Sequence, residues 1–192
     1  MTEKDAFASR KKGQEEEYFR KQEQALIEQM RARQQAEAER QQMAEALGLT
    51  DDEILRELQA LGYTRETVSL LHLAPLVQVA WAEGKVTEGE RRLIHDLARS
   101  RSIGAGSPVD QRLTEWLDKR PAEDFFERTL RIIRALLQAL PPDERAARRR
   151  DLLSHCAQVA TASGGLLGFG TVTEAEQALL DRIAAELERD LP

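Results

Sequence analysis

From Glu15 to Leu47 the sequence contains neither proline nor glycine, and Ala, Glu, Gln, Arg and Leu fill nearly every position. These residues lose little side-chain freedom in a helix, so the stretch predicts one long helix and little else. At 100° per residue, Phe19, Leu26 and Met30 fall on one narrow stripe, with Ile27 beside it and Tyr18 adjoining. A stripe this thin cannot bury itself. It is left to dimerise, to lie on a partner or to stay solvated, and no sustained heptad favours the coiled coil.

Beyond Leu47 the punctuation changes. Gly48 is placed to end the long helix, and Thr50 with Glu53 has the spacing of a capping box that opens a second, short helix to about Leu61. After Gly62, Thr64 can cap a helix from Arg65 to about Ala82. Leu70, Leu71, Leu73, Leu76, Val77, Val79, Ala80 and Trp81 crowd most of its circumference and mark a core helix, kinked at Pro75. Thr87 and Glu90 form another capping box before a helix from Glu88 to about Arg101. Further helices are expected over Val109 to Leu117, Ala122 to Leu140, Asp143 to Ser163 and Glu174 to Leu191, separated by IGAGSP, Arg120-Pro121, Pro141-Pro142 and GGLLGFG. Nothing alternates with period two, so the expected fold class is all-α. The expected division is a polar helix over 1–47, a short helical connector over 48–63 and a helical domain over 64–192.

Two segments of that domain read alike. VAWAEG-KVTEGERRLIHDLA runs from Val79 to Ala98, and VATASG, GLLGFG, TVTEAEQALLDRIA from Val159 to Ala184. Each is an apolar helix end, a glycine, then V-T-E-x-E opening a helix, with Leu93 matching Leu179, Ile94 matching Leu180 and Leu97 matching Ile183. The pattern implies a duplicated helical hairpin packed about a shared core.

Composition narrows the function. With 28 Lys+Arg against 34 Asp+Glu and a net charge of -6, the chain lacks the clustered basic excess that nucleic acid demands; the run Arg145 to Arg150 is too short to supply it. The lone Cys156 excludes an internal disulfide and any CxxC site. The first residues hold no apolar signal core. The most apolar stretch, Leu70 to Ala82, is broken by His72, Pro75 and Gln78 and falls short of the roughly 20 residues a bilayer span needs. A cytoplasmic protein with no membrane insertion is expected.

Catalytic residues are not expected. His72, His95 and His155 sit in three different predicted helices without a second ligand at a recognised spacing, and Cys156 points about 100° away from His155. No P-loop, nucleophile elbow or dinucleotide fingerprint is present. The loop Glu83 to Glu90 matches the second half of a calcium loop, but Val79 and Trp81 stand where the first oxygen ligands belong. Glu83, Glu88 and Glu90 are therefore weak metal candidates, and Glu88, Glu90, Glu174 and Glu176 read first as carboxylates favoured at helix N-termini. No metal or other cofactor is expected.

Two resemblances add to this reading. Ala6 to about Arg31, AFASRKKGQEEEYFRKQEQALIEQMR, resembles the inhibitory region of the mitochondrial ATP synthase inhibitor family: Ala6-Phe7, Arg10, Glu15 to Glu17 and Tyr18-Phe19-Arg20 align without a gap. The resemblance implies a helix that blocks ATP hydrolysis by inserting between subunits of the catalytic head. Its contacts would be Tyr18, Phe19, Leu26 and Met30, with Glu15, Glu16, Glu17 and Arg20 supplying polar ones. The histidine cluster of that family is replaced here by Arg33, Gln34 and Gln35, so pH control of that kind is not expected. From about Leu71 to Leu187 the chain resembles the TerB tellurite-resistance family, with VAWAEGKVTEGE and VATASG...TVTEAE standing where that family usually has an A-x-A-D-G-x-hydrophobic-x-x-x-E pattern. That implies an all-helical domain with two related halves and an acidic cluster for metal. Glu83 replaces the usual Asp and Ser163 removes it from the second copy. The expected function is thus a non-enzymatic inhibitor of the ATP synthase head carried by a TerB-like domain. The alternative is a TerB-type stress-response domain, with metal binding, whose polar helix is a solubilising or oligomerising arm.

Overall fold

The computed structural model describes residues 3–162 and 172–189, with side chains from Glu17 onward; the glycine-rich segment GGLLGFG lies outside them. Every regular element among the described residues is helical. The chain forms two units, 1–50 and 51–192.

The first unit is helix α1, Glu3–Leu47, which begins upstream of the expected Glu15 and runs through Gly13 without a break. A single glycine costs a helix about 1 kcal/mol relative to alanine, too little to stop one whose neighbours are all strong helix formers. Gly48 ends α1 in the left-handed region at φ 64, as its place after the last helical residue requires.

The second unit opens with α2, Asp52–Ala60. Its N-cap is Asp51 and not Thr50: the Asp51 carboxylate accepts from the backbone N–H groups of Glu53 and Ile54, at 2.9 and 3.3 Å. A carboxylate satisfies two of the free donors at once and carries the charge that the helix N-terminus favours, so it displaces the neighbouring hydroxyl. The helix expected within the 48–63 connector is α2. Leu55 and Leu58 are buried, and Glu57 pairs with Arg128, far along the chain, at 3.0 Å.

The expected kinked helix from Arg65 to Ala82 is two elements, a 3-10 helix Thr67–Leu73 followed by α3, Ala74–Ala80. Pro75 has no N–H to give the Leu71 carbonyl, and its ring crowds that carbonyl. The chain before it tightens into 3-10 pairing, while Pro75 itself fits the first turn of α3, where a missing N–H is no loss. Thr64 and Thr67 cap the start reciprocally, at 2.9 and 3.3 Å. The segment is core as expected: every residue of α3 is buried.

There follow α4 (Glu88–Ser100), α5 (Pro108–Asp118), α6 (Glu123–Gln138), α7 (Pro142–Ala162) and α8 (Glu174–Glu188). Helices α3 and α7 pack on each other at the centre; α4 rests on α3 and α7, and α8 on α3, α6 and α7. Two hairpins, α3 with α4 and α7 with α8, thus share one core. The 3-10 segment, α5 and α6 close its remaining side, where Tyr63, Trp116, Phe125 and Phe126 interlock with ring centroids 5.1 to 5.9 Å apart. The Trp81 indole donates to the Trp116 carbonyl at 2.8 Å and fixes the end of α3 to α5.

The two hairpins agree most closely at their caps. Thr87 with Glu90 and Thr173 with Glu176 both form complete capping boxes. Past the cap the buried faces separate: α4 buries Ile94 and Ala98, and α8 buries Leu179, Ile183 and Leu187. Leu93, Leu97 and Leu180 are only half-buried. The matched apolar pairs therefore share a register but not a depth. The reason is their different neighbours, since α4 faces α5 and the 3-10 segment where α8 faces α6.

Candidate functional site

Two places in the molecule depart from what a helical protein needs merely to fold. The first is on α1. Tyr18, Phe19, Leu26, Ile27 and Met30 are between 41% and 67% exposed, and they are the large hydrophobic side chains exposed among the described residues. Phe19, Leu26 and Met30 sit two and three turns apart on one line of the helix. Tyr18 and Phe19 meet edge to face at 5.9 Å, and Gln22 donates to the Tyr18 hydroxyl at 3.3 Å. One turn on, Lys21 pairs with Glu17 at 2.8 Å. The result is an apolar ridge flanked by charge, the form that docks a helix in a groove. The side chains of Glu15 and Glu16 lie outside the described residues. Arg20 is exposed.

The second is a pair of buried carboxylates. Glu90 is 2% exposed and Glu176 0%. Each accepts from its own N-cap: Glu90 Oε2 from the Thr87 N–H at 2.7 Å and hydroxyl at 2.8 Å, and Glu176 Oε2 from the Thr173 N–H at 2.7 Å and hydroxyl at 3.0 Å. The packing of the two hairpins brings the two boxes within range of each other's charge. Burial pushes the Glu90 carboxyl above the usual range against the Thr87 hydrogen bonds, and repulsion from Glu176 and Glu83 raises it further. The other oxygen of Glu176, Oε1, is buried without a hydrogen-bond partner among the described residues. Gly89 makes this approach feasible, because a Cβ there would lie 2.3 Å from the Ala162 carbonyl oxygen at the end of α7.

Of the weak metal candidates, Glu83 and Glu88 are exposed and only Glu90 turns inward. The residue that joins Glu90 is Glu176, which reads in sequence only as a helix-start carboxylate; the repeated V-T-E-x-E was the one available signal. Among the described residues no group of three or more His, Cys, Asp or Glu is arranged to hold a metal ion.

Several of the remaining reactive side chains have structural partners. His95 Nδ1 lies 3.1 Å from Asp110 Oδ1, and Asp110 Oδ2 accepts from the Gly106 N–H at 2.8 Å, which ties α4 to the turn before α5. His72 is exposed and His155 half-buried, in separate helices. Burial pushes the Cys156 thiol up to about 12, which leaves it without thiolate at neutral pH. In the basic run, Arg145 donates to the carbonyls of Gln138 and Leu140 at 3.2 Å and so closes the end of α6, while Arg149 faces Glu188 at 3.7 Å. Among the described residues no helix is long and apolar enough to cross a membrane. Comparison with protein-family models, with curated proteins and with solved structures finds no match to this chain.

Proposed function

We propose that this chain is a non-enzymatic regulator that inhibits ATP hydrolysis by an ATP synthase, with α1 docking on the catalytic head through Tyr18, Phe19, Leu26 and Met30. The observation that carries the reading is the exposed ridge itself, which falls within the segment Ala6 to about Arg31 that resembles the mitochondrial inhibitor family. A helix lodged between subunits of a rotary head stops the opening and closing that each catalytic cycle requires. Glu17 and Arg20, beside the ridge, supply polar contacts to the groove walls. The helix carries no histidine, so its own titration gives inhibition little dependence on pH between about 6 and 8.

The test is hydrolysis by the ATP synthase head of the same cell, under turnover and at low salt, with the full chain added. Inhibition is expected, and Phe19→Ala should weaken it roughly thirty-fold, the equivalent of about 2 kcal/mol for a buried aromatic anchor. Gln34→Ala should change it little. Absence of inhibition at tens of micromolar chain would end this reading.

A second reading draws on the buried pair. The partnerless Glu176 Oε1 beside a second buried carboxylate favours a TerB-like, metal-handling domain whose polar helix is an oligomerising or solubilising arm. Calorimetry with calcium, magnesium and zinc separates the two. Stoichiometric micromolar binding lost in both Glu90→Gln and Glu176→Gln would support the metal reading, and absence of binding would remove it.

A further inference from the structure

Helices α1, α2 and α4 end in the same hydrogen-bonded turn, and the residue at its apex differs in the third. After α1 the Gly48 N–H bonds to the Glu45 carbonyl at 3.4 Å and the Leu49 N–H to that of Ala44 at 3.0 Å; after α2 Gly62 bonds to Gln59 at 2.9 Å and Tyr63 to Leu58 at 3.0 Å. After α4 Ser102 bonds to Arg99 at 2.9 Å and Ile103 to Ala98 at 3.1 Å. The turn needs a left-handed residue just past the helix, which glycine supplies without strain at Gly48 and Gly62, φ 64 and 81. Ser102 holds φ 65 and is the non-glycine residue with positive φ among the described residues.

The fold does not call for a serine there. A Cβ in this region crowds the following carbonyl, and the residues that tolerate it best do so through a local side-chain hydrogen bond. The Ser102 hydroxyl makes none among the described residues. The other described serines are all engaged: Ser69 and Ser100 donate to the carbonyls of Glu66 and Leu97 at 3.2 and 2.7 Å, and Ser107 and Ser154 accept from the Asp110 N–H and Gln158 Nε2 at 3.1 and 3.3 Å. Ser102 is also exposed, so a free primary hydroxyl stands in water on a strained turn.

Its surroundings are basic. Arg99 and Arg101, both exposed, precede it by three residues and by one. Helix α4 packs on α7 with Gly89, at its start, against Ala162, at the end of α7, so the two run antiparallel. Twelve residues on from Gly89 is Arg101, and twelve back from Ala162 is Arg150, which brings the end of α4 level with the run Arg148 to Arg150. The charges of Arg101 and Arg148 both reach the His72 imidazole.

We propose that Ser102 is a phosphorylation site, modified by a serine kinase that reads Arg99 and Arg101. The γ-phosphorus of a nucleoside triphosphate bonds to Ser102 Oγ as its bond to the β–γ bridging oxygen breaks; the hydroxyl proton passes to a carboxylate base of the kinase, and the nucleoside diphosphate leaves. A phosphate of about two negative charges is unfavourable at the C-terminal end of a helix, and here Arg101 and Arg148 offset it. A kinase takes its substrate extended, and the last turn of a helix opens most readily. Ile103, 7% exposed, is the anchor that this opening releases. The site shares no residue with the α1 ridge or with the Glu90 and Glu176 pair.

The test incubates the full chain with a soluble extract of the same cell and magnesium ATP labelled at the γ-phosphorus, and maps the label by mass spectrometry. Label is expected on Ser102. Arg99→Gln should slow it by at least about tenfold, because kinases select substrates by such charge patterns, whereas Ser100→Ala should label as the parent does. Ser102→Gly suits φ 65, so it keeps the fold while losing the label. No incorporation, label on other residues with Ser102 unmodified, or an unchanged rate in Arg99→Gln would overturn the assignment.

Discussion

Gly89→Ala tests the close approach of α4 to the end of α7. Gly89 is the second residue of α4, and a Cβ on it would stand 2.3 Å from the Ala162 carbonyl oxygen, a backbone atom that cannot swing aside. Helix propensity and the stiffer unfolded chain both favour alanine, by about 0.4–1 kcal/mol together. Against that, the start of α4 must retreat from α7 until the contact opens from 2.3 Å to at least 3.0 Å. Overpacking of this kind costs about 1–3 kcal/mol, and a displaced capping box about 1 kcal/mol more. The expected net loss is about 1–3 kcal/mol, which for a chain of this size lowers the melting temperature by a few to about 10 °C. Urea titration of the full chain gives the measurement, with Gly104→Ala as control, since nothing lies within 4 Å of a Cβ there. An unchanged or higher midpoint for Gly89→Ala would show that the two helices are not in contact as described.

Three further outcomes follow from the same geometry. Because the Glu90 carboxyl is raised above its unfolded value, its contribution to stability is fully present below the ordinary carboxylate range and is lost as pH rises through the raised value; Glu90→Gln, which keeps an acceptor for the Thr87 N–H, should flatten that decline in a series of melts from acid to neutral pH. Phe126→Ala, at a side chain 1% exposed, should cost about 3–5 kcal/mol in urea unfolding, whereas Phe19→Ala should stay within about 0.5 kcal/mol of the parent while losing inhibition. Asp51→Ala strands the amide groups of Glu53 and Ile54 and should cost about 1 kcal/mol, measured the same way.

The helices were legible in the sequence because their signals are local. Thr87 with Glu90, the loop IGAGSP and Pro141-Pro142 each decide a boundary through atoms a few residues apart, and the observed α4 to α7 begin within one residue of expectation. The misreadings are competitions between neighbours. Asp51 outcompetes Thr50 as a cap, and Pro75 converts one expected helix into a 3-10 segment and a short α-helix. What pattern does not carry is depth. Leu93 and Leu179 hold matching positions, yet only Leu179 is buried, because burial is set by the helix across the interface. The ridge on α1 was readable for the same local reason that the caps were: one stripe, one helix. The meeting of Glu90 with Glu176 depends on elements far apart in the chain, and no spacing within either segment encodes it.

The magnitude of the ridge limits what it can do by itself. Taking a large apolar side chain from full exposure to full burial is worth about 1.5–3 kcal/mol, and Tyr18, Phe19, Leu26, Ile27 and Met30 begin roughly half covered by their own helix. Their complete burial on a partner therefore yields on the order of 5 kcal/mol. Association alone costs about 4–15 kcal/mol in lost translation and rotation, so the apolar contacts do no more than offset it. Any useful affinity has to come from the helix being formed before it docks and from charged contacts beside the ridge. The first condition is met by a helix without a break from Glu3 to Leu47. The second, on the proposed docking, falls to Glu17, Arg20 and their neighbours, and the groove expected on the partner is one whose walls carry charge of both signs.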